Sequence, residues 1–161
     1  MSLNDVQAYF REFGKEEDII IVDDSSATVA LAAQALGVIE AKIAKSLTFQ
    51  GKEESFMIVM AGDAKIDNKK YKAQYKTKAK MLSPEQVKEL TGHEIGGVCP
   101  FGLITKDMKV YLDESLKRFD FVYPACGSGN SAIKLTVEEL EKYGNCYEWV
   151  DVTKDWDPQL T

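Results

Sequence analysis

Apolar residues near the N-terminus recur every three or four positions, which is the spacing of one face of a helix. The residues with this spacing are Leu3, Val6, Tyr9, Phe10 and Phe13. Gly14 follows them, and glycine is common directly after the last turn of a helix. The pattern therefore predicts an N-terminal amphipathic helix over residues 2–14. The unbroken apolar run "DIIIV" comes next and predicts a buried strand.

Three further helices are indicated by the polar residues that precede them. Ser25 or Ser26 is placed to cap a helix that runs through Leu36 and ends at Gly37. The segment "SPEQ", which starts at Ser83, combines an N-cap serine, a proline at the first helical position and a capping-box glutamine. The segment "TVEELEKYG" carries a second capping box and predicts another helix.

The remaining apolar segments are short and interleave with these helices. "SLTFQ" and "SFMIVMAG" flank the turn sequence "GKEE" and predict a hairpin. Later strands are predicted at "KVYLD", "FDFVYP", "SAIKLT" and "YEWVDV". Several strand pairs are joined by too few residues for parallel crossovers, so we expect a mixed sheet. No linker, repeat or low-complexity segment divides residues 1–161, which indicates a single α/β domain.

The length and composition agree with one globular domain. A chain of 161 residues that is 45% hydrophobic and 29% charged can bury a core without disulfides or metal. No apolar run approaches the ~20 residues that cross a bilayer, and the N-terminal residues lack the layout of a signal peptide. We therefore expect a cytoplasmic protein that does not contact a membrane.

The cysteines are expected to be reduced thiols. Cys99, Cys126 and Cys146 cannot all pair with one another, and none lies in a CxxC motif. A zinc site would need all three thiols together with His93, the one histidine of the chain, at spacings unlike those of a zinc finger or ribbon. We therefore expect no metal and no cofactor.

Positive charge is concentrated in one segment. Residues 65–80 carry seven lysines against one aspartate, a net charge of +6, in a chain whose net charge is −6. The net charge argues against nonspecific binding of nucleic acid, and we expect no contact with DNA. One basic patch on an acidic protein instead favours a local contact with a nucleic acid. Tyr71 and Tyr75 would share a helix face there and offer stacking surfaces to bases. The alternative is a solvated lysine-rich surface.

Most standard catalytic arrangements are absent from the sequence. It contains no P-loop, no HExxH motif and no GxGxxG between a strand and a helix. A nucleophile activated by histidine would have to use His93, and Cys99 lies close to it along the chain. We favour the alternative, a small apolar thiol beside a loop histidine, because no third group orients the pair.

Two features remain as candidate chemistry. The segment "TGHEIGGVCPFGL" holds four glycines and a proline. The chain turns at Gly96 and Gly97, Pro100 fixes the bend, and Gly102 lets the chain leave it without steric strain. Such a turn can direct backbone N–H groups at an anion or oxyanion. The alternative is an ordinary turn, in which glycines are also common. Lys45 lies at the edge of an apolar strand, where its ammonium either reaches solvent or points into a pocket to hold a phosphate or carbonyl.

Four short motifs follow one another along the chain. They are "AKSLTF" around Lys45, "GDAKID" at 62–67, "GGVCPFG" at 96–102 and "GSGN" before "IKLTVEEL". In this order they resemble the YbaK and prolyl-tRNA-synthetase-associated editing-domain family. The resemblance extends from "SATVALAAQALGV" to the C-terminal "VDV", so it covers nearly the whole chain.

The resemblance implies a fold and an activity. Members of that family are metal-free α/β domains with a mixed, partly barrel-like sheet, and they cleave the ester between a wrong amino acid and the 3′ end of a tRNA. For this chain it implies an aminoacyl-tRNA deacylase that acts on proline tRNA carrying Ala, Cys or Ser. The partners implied are aminoacyl-tRNA, through its 3′ acceptor end, and prolyl-tRNA synthetase.

The resemblance also assigns residues to roles. The catalytic groups that it implies are Lys45, Gly96, Gly97, Pro100 and Gly102. The residues that it implies for substrate binding are Thr28, Val98, Phe101, Gly127, Ser128 and Gly129. The lysines that would contact the acceptor stem are Lys69, Lys70, Lys72, Lys76, Lys78 and Lys80.

Two other functions stay open at this point. A noncatalytic module that binds tRNA or a synthetase would keep the same fold without hydrolysing an ester. A cysteine-dependent hydrolase of small molecules would use Cys99 and His93 and would be inhibited by a thiol alkylator.

Overall fold

The structure, a computed structural model, describes residues 2–23 and 28–161. Its α-helices are α1 (Ser2–Arg11), α2 (Val29–Leu36), α3 (Asn68–Tyr75), α4 (Pro84–Thr91) and α5 (Val137–Tyr143). Its strands are β1 (Ile19–Ile21), β2 (Ile43–Gln50), β3 (Ser55–Ala61), β4 (Lys65–Ile66), β5 (Lys109–Asp113), β6 (Phe121–Pro124), β7 (Ser131–Ile133), β8 (Leu135–Thr136), β9 (Glu148–Val150) and β10 (Thr153–Lys154). Within those two ranges, no helix is long and apolar enough to cross a membrane.

A mixed, partly barrel-like sheet of six strands forms the centre of the fold, in the order β8-β6-β2-β3-β5-β9. β2 and β3 form the predicted antiparallel hairpin, with Ala44 opposite Ala61 and Gln50 opposite Ser55. β6 and β5 join the hairpin in parallel on either side. Two antiparallel pairs, β1 with β7 and β4 with β10, lie outside this sheet. The predicted α/β fold with a mixed sheet is therefore confirmed.

The strand expected from "DIIIV" forms, but it is not fully buried. β1 pairs with β7, with Ile19 opposite Ile133. Ile21 at its end is 54% exposed. A short apolar run indicates a strand without showing how many of its faces are covered, because periodicity cannot be read from three residues.

The helix ends follow the predicted capping pattern with one exception. α4 begins with its capping box: the Ser83 hydroxyl accepts the Gln86 N–H at 3.2 Å, and the Gln86 side chain accepts the Ser83 N–H at 2.9 Å. α5 begins with the other box. α2 is capped by Thr28, whose hydroxyl accepts an N–H of the first turn at 3.2 Å. Ser25 and Ser26, the expected caps, lie outside the described residues.

α3 turns both of its tyrosines toward the core. Tyr71 is fully buried, and the ring of Tyr75 stacks on that of Phe56 with centroids 4.5 Å apart. Phe49 completes the cluster, 5.3 Å from Tyr71. The prediction that these tyrosines offer stacking surfaces to nucleic acid is therefore wrong. The face that they share is the apolar face through which α3 packs on the sheet.

α1 was predicted over residues 2–14 but ends at Arg11, and residues 12–14 form a turn. The helix packs against the glycine-rich segment of residues 92–103. Val6 and Phe10 are fully buried, and the ring of Phe10 lies 4.7 Å from that of Phe101. Gly102 has a φ of +62°, and a Cβ built there would lie 3.1 Å from the carbonyl oxygen of Asp5. The helix and the glycine-rich segment are thus in backbone contact, which fixes the position of that segment.

Candidate active site

A cavity of about 280 Å³ opens beside β2. Most of its wall is apolar and includes Val29, Ala32 and Leu36 of α2 and Ile43 and Leu47 of β2. Its residues with polar side-chain groups are Thr28, Lys45, Ser46, Tyr123 and Ser131. Among the described lining residues there is no aspartate, glutamate, histidine or cysteine. The described parts of the chain also hold no group of three or more such side chains that could bind a metal ion. The cavity therefore suits a small ligand with an apolar part.

Lys45 is the charged residue of the described cavity wall. It lies on β2, and its ammonium donates to the carbonyl oxygens of Ala64 at 2.5 Å and Gly62 at 3.3 Å. An ammonium has three N–H donors, so one donor stays available to a ligand. Burial of the amine lowers the pKa of Lys45, an effect that the nearby Asp63 carboxylate opposes.

Asp63 does not pair with Lys45, because it is bound to another cation. Arg118 donates to the two carboxylate oxygens of Asp63 at 2.6 Å and 2.9 Å. None of the ion pairs between described residues includes Lys45. The positive charge beside the cavity is therefore left to bind an anion or a polarised carbonyl oxygen.

The carbonyl groups that hold Lys45 belong to a segment that requires glycine at its first position. A Cβ built on Gly62 would lie 2.1 Å from the carbonyl oxygen of Glu40 and 2.7 Å from the side chain of Val29. The segment after β3 therefore packs backbone to backbone on the 3₁₀ turn at residues 40–42. The carbonyl groups of "GDAKID" accept hydrogen bonds from the lysine of "AKSLTF". These bonds explain in physical terms why the two motifs occur together.

The glycine-rich segment forms a tight turn at the edge of the cavity. The Gly97 N–H donates to the carbonyl oxygen of Glu94 at 2.9 Å, and Gly96 at the third position has a φ of +97°. A positive φ at the third position is characteristic of a type II turn. Gly96 and Val98 line the cavity, and their N–H groups have no hydrogen-bond partner within residues 2–23 and 28–161. Two residues with free backbone donors, among those described, thus line the cavity that also holds Lys45.

Gly97 brings the two glycine-containing segments into contact. A Cβ built on Gly97 would lie 2.4 Å from the carbonyl carbon of Gly127 and 2.5 Å from the nitrogen of Ser128. The Gly127 N–H donates to the Gly97 carbonyl at 3.0 Å. Gly127, Ser128 and Gly129 line a second cavity, of about 610 Å³, which shares Ile95 with the first. The structure does not bring these three predicted substrate-binding residues to the cavity of Lys45.

Three further predicted residues lie behind the turn. The ring of Pro100 packs beside Gly144, 3.2 Å from a Cβ built there. Phe101 is fully buried against α1, and Gly102 is in backbone contact with the same helix. These residues position the turn and do not line the cavity. The predicted residues that the structure does bring together are Thr28, Lys45, Gly96 and Val98.

Cys99 and His93 form a buried pair outside the cavity. The Cys99 Sγ lies 3.5 Å from the His93 Nε2, which lies 2.8 Å from the carbonyl oxygen of Phe101. Both side chains are fully buried. Burial raises the pKa of the Cys99 thiol to about 12, so the thiolate that a cysteine nucleophile requires is not formed at neutral pH. The cysteine-dependent alternative is therefore rejected.

Protein stability should fall as the pH drops below about 6.5, and His93 is the reason. Burial lowers the pKa of this imidazole from 6.5. Its Nδ1 has no hydrogen-bond partner among the described residues, so protonation would leave an unpaired charge in the core. The unfolded chain takes up a proton near pH 6.5, whereas the folded protein does so only at lower pH. The stability that the neutral His93 contributes is thus fully present above about pH 6.5 and is lost as the pH falls toward the pKa of His93 in the folded protein.

Urea unfolding at about pH 7.5 and about pH 5.5 measures this effect, because carboxylates titrate mainly below that window. The chain has a single histidine, so His93→Gln is a matched control that should flatten the dependence. An unfolding midpoint of the wild type that stays constant across the window would contradict the assignment.

The predicted tRNA-binding lysines lie on α3 and on the segment that follows it. Lys70 donates to the carboxylate of Asp151 and the carbonyl of Thr153, both at 3.0 Å, so it is tied to the protein's own surface. The lysines that form no ion pair with any described residue are Lys69, Lys72, Lys76, Lys78 and Lys80. The segment runs from α3 to the cavity, where the next residue, Met81, is part of the wall.

Sequence reasoning missed much of the cavity wall. Ala32 and Leu36 come from α2, whose sequence "VALAAQAL" is apolar at nearly every position. A helix that only packs on a core needs apolar residues along one face. The additional apolar residues of α2 were therefore a usable signal that a second face of this helix lines a pocket. Tyr123 and Ser131 come from β6 and β7, which are distant in sequence from Lys45, and no local pattern marks them.

A family model matches most of the chain. Residues 23–143 match the model described as the aminoacyl-tRNA editing domain. This chain therefore belongs to the aminoacyl-tRNA editing domain family, and the resemblance inferred from the four motifs is confirmed.

Individual relatives agree with this assignment. The uncharacterized protein YwhH of Bacillus subtilis (strain 168) is 54% identical over 158 residues, which cover 98% of this chain and 100% of that protein. The proline–tRNA ligase of Thermotoga sp. (strain RQ2) is 31% identical over 93 residues, 57% of this chain but only 16% of that enzyme. A crystal structure of a "putative trans-editing enzyme for prolyl tRNA synthetase" superposes with a TM-score of 0.85 at 29% identity, over 95% of this chain and 97% of that one.

Proposed function

We propose that this protein is a trans-editing deacylase, which hydrolyses the ester between a noncognate amino acid and the 3′ end of a tRNA. One observation carries the proposal: Lys45, Gly96 and Val98 line a single apolar cavity, and the N–H groups of Gly96 and Val98 have no hydrogen-bond partner among the described residues. The family supports it, since the chain is an aminoacyl-tRNA editing domain by its match over residues 23–143.

The proposed complex has the amino acid side chain inside the cavity and the ester carbonyl at its edge. Negative charge develops on the carbonyl oxygen when water adds to the ester. The ammonium of Lys45 and the N–H groups of Gly96 and Val98 are donors of the kind that stabilise such an oxyanion. The Lys45 ammonium is held by the carbonyl groups of Gly62 and Ala64, so it need not reorganise during the reaction.

Attack by water with help from the substrate accounts for the chemistry. The described cavity wall holds no carboxylate, imidazole or thiol to act as a base. The water oxygen adds to the ester carbonyl carbon, and the bond from that carbon to the ribose oxygen breaks. The proton from water passes to the ribose oxygen, directly or through the neighbouring ribose hydroxyl. The products are the free amino acid and uncharged tRNA. Orientation and oxyanion stabilisation then supply most of the catalysis.

The proposed substrate is proline tRNA that carries Ala, Cys or Ser. The choice of tRNA rests on the likeness to proline–tRNA ligases and to the "putative trans-editing enzyme for prolyl tRNA synthetase". The same likeness makes prolyl-tRNA synthetase a proposed partner. The apolar wall favours Ala and Cys, but it rejects Ser only weakly, because an apolar pocket discriminates poorly against an added hydroxyl.

We expect the protein to release at least one of these three amino acids from proline tRNA and to spare proline. We expect proline to be spared because its ring closes on its own α-nitrogen, so its side chain leaves the α-carbon with a different shape and direction from those of Ala, Cys and Ser. The measurement is the loss of radiolabelled amino acid from proline tRNA charged separately with Ala, Cys, Ser and Pro, with protein-free samples as the control. Binding of these tRNAs without hydrolysis of any ester would contradict the proposal and favour the noncatalytic binding module.

We also propose that the unpaired lysines from Lys69 to Lys80 contact the acceptor stem. Deacylation at subsaturating tRNA should then slow steeply with salt, by about one power of the salt concentration for each phosphate neutralised. Replacing Lys69, Lys72 and Lys78, which border one surface cleft, by glutamine should make that dependence shallower. Lys106→Gln, at an exposed lysine elsewhere, is the control. An unchanged salt dependence in the triple variant would show that these lysines are only solvated surface residues and do not contact the acceptor stem.

A further inference from the structure

Two large apolar side chains at the cavity are exposed to solvent. Met81 and Ile95 both belong to the cavity wall, yet they are 56% and 63% exposed. They come from separate segments, one that follows α3 and one that follows α4. Ester hydrolysis as proposed above requires neither of them. Exposed apolar groups at a binding site commonly mark a surface that a ligand covers.

Met81 is held in place by backbone hydrogen bonds. The Gln50 N–H donates to the Lys80 carbonyl at 2.8 Å, and the Leu82 N–H donates to the Thr48 carbonyl at 3.1 Å. Residues 80–82 therefore run along the end of β2, with Met81 opposite Phe49. The exposure of this side chain is a property of the fold, since the segment that carries it is tied to the central sheet.

Ile95 is also fixed by its backbone. It is the second residue of the turn that the Gly97 N–H closes on the Glu94 carbonyl at 2.9 Å. The same turn is joined to the neighbouring segment by the hydrogen bond from Gly127 to Gly97 at 3.0 Å. Two segments that are fixed by backbone hydrogen bonds thus each place one exposed apolar side chain at the cavity of Lys45 and Gly96.

We propose that Met81 and Ile95 contact the terminal base of the tRNA and position it at the mouth of the cavity. This inference rests on the proposed function: when the ester lies at Lys45 and Gly96, the adenosine that bears it must lie at the opening. The faces of a base are apolar and polarisable, and a methionine sulfur makes favourable contacts with aromatic rings. The pair acts as a positioning element for the ester.

The charge of the adjoining segment favours RNA over a protein as the occupant. Lys76, Lys78 and Lys80 precede Met81 at alternate positions, and none of them is paired with a described residue. Basic residues that follow a backbone and an apolar or aromatic surface for a base are the usual combination in proteins that bind single-stranded nucleic acid. Phosphates of the 3′ end can follow the lysines while the last base reaches Met81.

The test pairs a change in the protein with a change in the substrate. One substrate is an acceptor-stem RNA that ends in adenosine and carries the amino acid released by the wild type. The other is the same charged RNA without the terminal base. We expect removal of the base to lower kcat/KM of the wild type by about tenfold, mainly through KM. The variant Met81→Ala/Ile95→Ala should lose about tenfold on the complete RNA and change little further when the base is absent.

Control variants separate contact with the base from a general disturbance. Ile104→Ala removes an isoleucine that is 61% exposed and lies at the second cavity, so its kinetics should match the wild type. Met81→Leu keeps the volume of the side chain and should retain most of the activity that the variant Met81→Ala/Ile95→Ala loses. Equal losses by the double variant on both substrates would overturn the inference while leaving the proposed function intact. Failure of the wild type to hydrolyse either substrate would instead overturn the proposed function.

Discussion

Lys45→Ala should lower the rate of ester hydrolysis by about 100-fold or more and leave the protein folded. Removing one preorganised donor from a developing oxyanion costs a factor of about 10²–10³ in rate. Lys45 is such a donor in our account, because its ammonium is held by two carbonyl groups and has no carboxylate partner among the described residues. The fold should survive, since the lysine is only half-buried and its neighbours on β2 keep their strand partners.

Single-turnover hydrolysis of charged tRNA is the measurement, with circular dichroism to show that each variant is folded. Lys45→Met keeps the apolar stem without the charge and should be as slow as Lys45→Ala, which separates the charge from packing. Lys65→Ala, at an exposed lysine close enough to influence the pKa of Lys45, should retain the wild-type rate. Deacylation at the wild-type rate by Lys45→Ala would remove Lys45 from the mechanism.

Gly97→Ala should destabilise the protein by about 3 kcal/mol, the upper part of the range for overpacking a well-packed site. The new methyl group would lie 2.4 Å from the carbonyl carbon of Gly127 and 2.5 Å from the nitrogen of Ser128. Both are backbone atoms, so no side chain can rotate away to make room. Relief requires the two segments to separate, which also breaks the hydrogen bond from Gly127 to Gly97.

Urea unfolding measures the change, with Glu94→Ala as the control in the same turn. Glu94 is exposed and pairs with Lys88 only at the surface, so its replacement should alter the free energy of unfolding by less than about 0.5 kcal/mol. If Gly97→Ala unfolds within the same margin of the wild type, the two segments are not in the close contact described above. Deacylation should also slow in Gly97→Ala, because the turn that holds the N–H groups of Gly96 and Val98 would move.

Local patterns in the sequence predicted the elements whose determinants are local. The hairpin of β2 and β3 and the capping boxes at Ser83 and Thr136 are set by residues a few positions apart, and all of them form as predicted. The period of an apolar face was also clear for Tyr71 and Tyr75. What the period could not show was whether that face meets the core or a ligand, because the answer depends on the sheet beneath it.

The glycines show where sequence reasoning stops. The turn at Gly96 and Gly97, left at Gly102, was expected to form an oxyanion site, and Gly127 was expected to bind substrate. Gly97, Gly102 and Gly127 instead serve close packing between segments that are far apart in sequence. Gly102 contacts the backbone of Asp5, and Gly127 contacts that of Ser2. A single sequence does not contain these pairings, because they arise only when the elements pack. The family motifs singled out Lys45 and Gly96, and the structure places both at one cavity, but the composition of the wall required the structure.

The most direct test of the account is the structure of the protein bound to an amide analogue of an aminoacyl-adenosine that water cannot hydrolyse. The account predicts that the side chain of the amino acid lies in the cavity of α2 and β2. It also predicts that the carbonyl oxygen lies within about 3 Å of the Lys45 ammonium or of the N–H of Gly96 or Val98. An analogue bound instead in the second cavity, beside Gly127 and Ser128, or with its carbonyl turned away from Lys45, would contradict it.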